Sequence, residues 1–416
     1  MSLFFPNPRY RIYGARHQYL KIAGDLAVGR LFTGAGVAEL EPAVADFVGA
    51  GHAVAMPQAR VALYCALRVL LKQLRKVLLS PYTIHDVVNM VVCAGGHPVF
   101  VDIRREDCNI DPLLVESLVD DDTGAVLVTH LHGLACDVER IAATCRQRGI
   151  PLIEDCAQAF GTRVSGRRVG TFGTVGVFSF GMAKNVNAFY GGMAVTSEAD
   201  VALALRDEIR RYPTFPSSAL VNRAAFCLVG DVLTSKPMFW SFVYWLFRYG
   251  YLHDIDALNN RWRGEMAPTI KREMPEANLR KMTSAQARLV AAQLSRVDLD
   301  TEVRIRYASL YHAGLSSLPQ VLCPPLRTDG SHIYLTYPIQ VEDRDGLNRF
   351  LMLECQDVTV QHLINTADAD CFAEWFRECP NARRTAASVL LLPSYPSYGE
   401  RNVARNIAII RRFFGA

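Results

Sequence analysis

Long apolar runs are missing from this 416-residue chain, as are blocks of like charge, CxxC pairs, internal repeats and low-complexity linkers. The most apolar stretch, Pro237 to Leu252 (PMFWSFVYWLFRYGYL), spans 16 residues and contains Arg248. That is short of the ~20 apolar residues a membrane span needs. No Lys/Arg cluster stands alone and the formal net charge is only +4, so no nucleic-acid partner is expected. Eleven cysteines are scattered, an odd number without close pairs, which fits reduced thiols in a cytoplasmic protein. The first residues, MSLFFPNPRYRIYG, carry early prolines and arginines and no apolar core of a signal peptide. Export is not expected.

What the chain does have is apolar material: half of its residues. A full core is therefore affordable, divided into two lobes because single cores stop growing near ~250 to 300 residues. From Ala38 to Ile153 helical and strand patterns alternate, the order that produces a mostly parallel sheet covered by helices. VALYCALRVLLKQL reads as a helix and HPVFVDI as a short strand. DPLLVESLV is a helix opened by Asp111 and Pro112, GAVLVTHLHG a buried strand, and DVERIAATCRQRG a helix ended by Gly149. Strands at Val175 to Phe180 and in GGMAVTS follow. Past Asn278 the pattern changes to one long amphipathic helix, SAQARLVAAQLSRVDLDTEVRIRYASLYHAGL, and then to a smaller α+β lobe. The fold class is α/β.

Between the lobes, AAFCLVGDVL and the Pro237 to Leu252 run crowd Phe239, Trp240, Phe242, Tyr244, Trp245, Phe247, Tyr249 and Tyr251 into a few turns. The favoured reading is a helical pair that covers the core, a dimer partner or the substrate mouth. Membrane contact through 237–252, with Trp and Tyr at headgroup level, is the weaker reading, because Lys and Arg are sparse there.

The chemistry concentrates in LIEDCAQAFGT, where Glu154 and Asp155 end an apolar strand. A carboxylate at the C-terminal end of a parallel strand lies where open α/β sheets bind ligands. Taken alone, Asp155 is more often a helix cap. Downstream, VFSFGMAKN places Lys184 five residues after Ser179. A lysine partly desolvated beside a strand end has a lowered pKa and can form a Schiff base. Alone, it is usually a solvated surface charge.

Together, IEDCAQAFGT, GRRVGTFGTVGVFSFGMAKN and GGMAVTS resemble the DegT/DnrJ/EryC1/StrS family of pyridoxal-phosphate sugar aminotransferases. The likeness runs from GVAELEPAVADFVGAGHAVAM through THLHGLACDVERIAATCRQRGIPLIED to LLPSYPS. It implies the PLP-dependent transferase fold type I, an N-terminal arm over 1–30 and a large cofactor domain over 31–275. That domain carries the aromatic helical insertion at about 222–253, and a small C-terminal domain covers 276–416. By the same resemblance Lys184 holds the pyridoxal 5′-phosphate (PLP/PMP) and shuttles the proton. Asp155 pairs with the pyridine nitrogen, Gln158 contacts the ring hydroxyl, Ala157 packs under the ring and Ser179 binds the phosphate. An ionised carboxylate keeps the ring nitrogen protonated, so the ring accepts electrons. Glu154 has no cofactor role in that pattern and is read as a paired polar residue.

Three departures stand out. Where the family has Ser-Gly-Thr at the phosphate-binding helix start, this chain has Gln58, Ala59 and Arg60. Ala59 and Arg60 still offer backbone amides, and Arg60 either contacts phosphate or turns to solvent. At the ring-stacking position stand Ile84 and His85: either His85 stacks on the ring or Ile84 covers it. The motif that reaches across to a neighbour's site appears only as ANLRKMTSAQA, with Asn278 one residue out of register. The His130 and His132 spacing suggests a metal pair, but no further ligands of the right kind follow, and no metal is expected.

The implied function is transfer of an amino group from glutamate or glutamine to a keto acceptor, a nucleotide-linked keto sugar by resemblance, in polysaccharide or antibiotic biosynthesis. The expected assembly is a homodimer with the active site at its interface. The rivals are a sugar dehydratase on the same fold, against which Lys184 argues, and a non-catalytic sensor or regulatory protein that has lost the cofactor.

Overall fold

A computed structural model of the chain describes residues 5–12, 14, 15, 17–71, 75–255 and 267–416. The first four residues of the expected arm lie outside the described residues.

The central sheet has seven strands in the order His52–Met56, Gly192–Thr196, Val175–Ser179, Leu152–Asp155, Thr123–Thr129, Lys76–Leu79 and His97–Phe100. Gly192–Thr196 pairs antiparallel with both neighbours, and the other contacts are parallel. Parallel neighbours need a crossover between them; helices supply it in the other connections, whereas Leu152–Asp155 and Val175–Ser179 are joined by a loop that carries the small Arg163–Val164 and Arg167–Arg168 hairpin. These strands are apolar almost throughout because helices cover both faces of the sheet. Helix Ala59–Leu70 buries Val61 through Leu67 without a break, so it runs through the core rather than over it.

The helix ends follow local chemistry. Asp111 accepts a hydrogen bond from Leu113 N–H (2.9 Å) with Pro112 in the first turn, satisfying a donor the helix leaves free. Helix Val138–Arg148 stops where Gly149 turns left-handed at φ 64°, a conformation that costs glycine little.

The segment that reads as one long helix is broken. It forms Ser284–Ala291 and Val297–Leu315, joined by a short turn at Leu294–Arg296. Gln293 is the cause. Its side-chain amide donates to Leu289 O (2.6 Å) and Asn187 O (2.8 Å) and accepts from Asn187 N–H (3.1 Å). Leu289 O is the carbonyl that Gln293 N–H would take in a continuing α-helix; that N–H bonds Val290 O instead. Periodicity cannot register a side chain that competes with the backbone.

The C-terminal part adds a three-stranded sheet of Tyr337–Gln340, Val389–Leu392 and Thr359–Val360. Helices Val297–Leu315, Arg344–Leu353 and Glu400–Phe413 enclose its own core, with Tyr311, Tyr337, Leu351 and Ile410 fully buried. The aromatic segment forms helix Ser217–Leu233 and a second helical stretch from Lys236 to Leu252, with a widened turn at Phe239–Val243. Among the described residues no helix is long and apolar enough to cross a membrane.

Candidate active site

Two parallel strands end side by side. Asp155 closes Leu152–Asp155 and Ser179 closes Val175–Ser179, with Asp155 opposite Val177 in register. Successive side chains of a strand point to opposite faces, so Glu154 and Asp155 enter different surroundings. Asp155 lines a cavity of about 220 Å3 together with Ala157, Ser179, Lys184, Ala59 and Arg60. Glu154 is fully buried away from it and accepts from Gly170 N–H (2.7 Å), Gly173 N–H (2.7 Å) and His130 Nε2 (3.1 Å). The carboxylate thus pins the Gly170 to Gly173 loop. At Gly170, φ is +90° and a Cβ would lie 2.6 Å from Phe178 Cζ, so a side chain has no room there.

His130 Nδ1 accepts from Cys136 N–H (3.1 Å), so Nε2 carries the proton given to Glu154. Ligand atoms of His130, Glu154 and Cys156 lie within 4.8 Å of one another. However, both imidazole nitrogens and both Glu154 oxygens are already engaged in hydrogen bonds. His132 lies elsewhere, in a small pocket with His332, and burial pushes its pKa down to about 3. The two histidines share no site.

Asp155 Oδ1 accepts from Ala157 N–H (3.0 Å). Burial pushes its carboxyl pKa up, opposed by that N–H and by the neighbouring Lys184. Lys184 sits half-buried in a turn held by Lys184 N–H to Gly181 O (3.2 Å), Ala188 N–H to Phe180 O (2.9 Å) and Asn185 Nδ2 to Phe160 O (2.7 Å). Desolvation pushes its amine pKa down, opposed by Asp155. A neutral, nucleophilic lysine is thereby accessible nearer neutrality.

Helix Ala59–Leu70 begins at Gln58, whose side chain does not cap it. A helix start without a side-chain cap suits an anionic ligand. Gly192 makes this approach feasible, since a Cβ there would lie 2.6 Å from Gln58 C and 2.7 Å from Ala59 N. Arg60 is bound to Asp86, which also holds Lys271 Nζ (2.5 Å) and Asn89 Nδ2 (3.3 Å). Asp86 is held below its ordinary value by these partners, against the effect of burial. Arg60 therefore reaches the cavity as a paired cation.

Other expected residues fall elsewhere. Ile84 lines the cavity, whereas His85, which begins helix His85–Cys93, is not on its wall. The Gln158 side-chain oxygen accepts from His132 N–H (2.8 Å), and the residue is not on the wall. Asn278 ends a short turn at Glu276–Asn278, also off the wall. Three residues that line the cavity have no signal in the sequence pattern: Asp86, Tyr190 and Arg223. Only the fold brings them there.

The profile of the DegT/DnrJ/EryC1/StrS aminotransferase family matches residues 18–215 and 232–411. The chain belongs to this family. Among curated relatives, the spore coat polysaccharide biosynthesis protein SpsC of Bacillus subtilis (strain 168) is 29% identical over 95% of this chain and 94% of its own. The GDP-perosamine synthase of Vibrio cholerae is 28% identical over 90% of this chain and 89% of its own. Among solved structures, the E. coli GDP-4-keto-6-deoxy-D-mannose-3-dehydratase with bound hydrated PLP superposes with TM-score 0.75 at 17% identity, covering 98% of this chain and 100% of that one. That likeness speaks for the fold alone, and the aminotransferase assignment rests on the family match. The matched family segments include the Asp155 strand end and Lys184, and leave out residues 216–231.

Proposed function

We propose that this aminotransferase uses pyridoxal 5′-phosphate held by Lys184 to move an amino group from glutamate or glutamine to a nucleotide-linked keto sugar. The observation that carries the reading is the shared cavity of Asp155, Ser179, Lys184 and an uncapped helix start. The residues fit the cofactor by chemistry. A carboxyl raised by burial is one that a cationic ring nitrogen would return to its charged form. Uncapped amides suit a phosphate, and small Ala157 with apolar Ile84 and Val87 suits a flat ring.

When bound, the cofactor supplies an electron sink for the carbon that loses a proton. The chain's own residues do the rest. Lys184 Nζ would hold the cofactor and, poised by desolvation, would serve as the base that takes up and returns the substrate's proton. Asp155 holds the proton on the ring nitrogen, fixed in place by Ala157 N–H. Ala59, Arg60 and Ser179 orient the phosphate end. Asp86 keeps Arg60 in place, and Glu154 holds the neighbouring loop so that Asp155 keeps its position.

The related SpsC and GDP-perosamine synthase support a sugar acceptor in polysaccharide synthesis. All eleven cysteines are unpaired, which supports a reducing, cytoplasmic setting. A homodimer is supported by the apolar residues left on the surface of the helical segment, among them Phe226, Val229, Phe242, Trp245 and Tyr249.

The test is spectroscopic. The cofactor band of the purified protein should convert to the amine form on adding glutamate or glutamine, and revert on adding a nucleotide-linked keto sugar. Lys184→Ala should lose the cofactor's covalent attachment, read by borohydride trapping and mass spectrometry, and about 10²- to 10⁴-fold in turnover. Full turnover by the variant would refute the mechanism.

A further inference from the structure

Of the cations on the cavity wall, one has no counter-charge. Lys184 faces Asp155 and Arg60 is bound to Asp86. Among the described residues Arg223 forms no ion pair and no hydrogen bond, and its buried Nε is without a partner.

Arg223 comes from helix Ser217–Leu233, within the stretch 216–231 that the family profile does not match. The helix is firmly seated. Leu220, Ala224, Cys227 and Gly230 form its buried stripe, and Asp231 accepts from Arg11 Nη2 (3.0 Å) and from Tyr19 OH (3.1 Å). Arg223 leaves the flank of that stripe with its guanidinium carbon 4.7 Å from the Tyr190 ring centre and 5.2 Å from that of Phe226. Two rings thus hold the planar group before any ligand arrives. Tyr190 is itself on the cavity wall, and the next residue, Gly191, pairs with Gln58 beside the uncapped helix start. Arg223 and the uncapped helix start therefore face one space.

A guanidinium partly withdrawn from water without an anion is an unfavourable arrangement unless a ligand completes it. Its fork of donors matches phosphate and carboxylate oxygens two at a time. We propose that Arg223 builds an oxyanion subsite in the cavity, binding a phosphate or carboxylate of a molecule seated beside Lys184. The inference deepens the function proposed above and rests on it only for the possible sources: the cofactor's phosphate, the amino donor's carboxylate or the acceptor's diphosphate. A helical segment outside the common family pattern would then set which anion this chain selects.

The experiment is calorimetric titration of the full chain with inorganic pyrophosphate and, separately, glutarate, using wild type, R223Q and R223K. Each titration is repeated after saturation with pyridoxal 5′-phosphate. R223Q should weaken binding of at least one anion about tenfold or more, and R223K by less, since a point charge keeps the attraction and loses the fork. Loss confined to pyrophosphate assigns the acceptor's diphosphate, and loss confined to glutarate assigns the donor's carboxylate. An Arg223-dependent site that disappears once the cofactor is bound is the cofactor's own phosphate position. Equal affinities in the three proteins, or no anion binding by wild type, would overturn the proposal. None of these titrations needs turnover, so failure of the sugar aminotransferase reading would show in the spectral assay and leave this one intact.

Discussion

Glu154→Gln separates the two carboxylates at the strand end. The substitution keeps size and shape but replaces one acceptor oxygen with an NH2 group. Glu154 receives three buried donors, Gly170 N–H and Gly173 N–H at 2.7 Å and His130 Nε2 at 3.1 Å, with no exposed surface. A glutamine oxygen can keep the donors on one side only; its amide nitrogen then meets an N–H head on. With one or two donors left unsatisfied at about 1 to 3 kcal/mol each, the cost is about 1 to 6 kcal/mol, centred at about 3. Set against a typical total of about 5 to 15 kcal/mol, roughly a third of the stability is lost. The urea midpoint should fall by a similar fraction at constant slope, measured by far-ultraviolet dichroism and tryptophan fluorescence. D155N is the control, because Asp155 accepts one backbone donor through Oδ1 and an asparagine oxygen can do the same. D155N should keep or raise its midpoint and lose turnover, whereas E154Q should lose stability first. An E154Q midpoint within a tenth of wild type would refute the reasoning.

D155N should also remove a pH dependence. Burial raises the Asp155 pKa above its ordinary value of 3.8, so between the two values the folded cofactor-free chain holds a proton that the unfolded chain has released. Stability of the cofactor-free wild type therefore falls as pH rises through that window, and the slope should flatten in D155N, followed by thermal melts from acid to neutral pH. G192A puts a Cβ 2.6 to 2.7 Å from Gln58 and Ala59 backbone atoms, pushing the helix start off the strand. Its affinity for pyridoxal 5′-phosphate should drop about tenfold, the scale of one lost charge-assisted hydrogen bond. Affinity for pyridoxal, which lacks the phosphate, should barely change, as read by absorbance titration. Gln293→Ala removes three buried hydrogen bonds and should cost about 2 to 4 kcal/mol, seen as a lower urea midpoint.

Asp155, Ala157, Ser179 and Lys184 were legible in the chain because they lie within thirty residues on two neighbouring strand ends and the turn that follows. Alternating apolar runs announced those strands, and a carboxylate closing one of them is visible without a structure. The parallel sheet and the capped helices at Asp111 and Gly149 were legible for the same local reasons. Local pattern failed at Gln293, where a side chain rather than a missing apolar position ends the helix. It also left Ile84 and His85 undecided, since neighbours at a helix start point about a hundred degrees apart and only packing selects which one meets the cavity.

What stayed with the tertiary structure is whatever depends on distance through space. Asp86 draws Arg60 from 26 residues away and Lys271 from 185 residues away, which makes Arg60 a paired cation. Arg223 enters from a separate helix without any local motif to mark it. Order along the chain determines which strand follows which, and so the edge where the chemistry gathers. Burial and counter-charge are sums over residues that meet only after folding, and they decide which carboxylate supports the loop, which lines the cavity, and which arginine on its wall is left without a counter-charge.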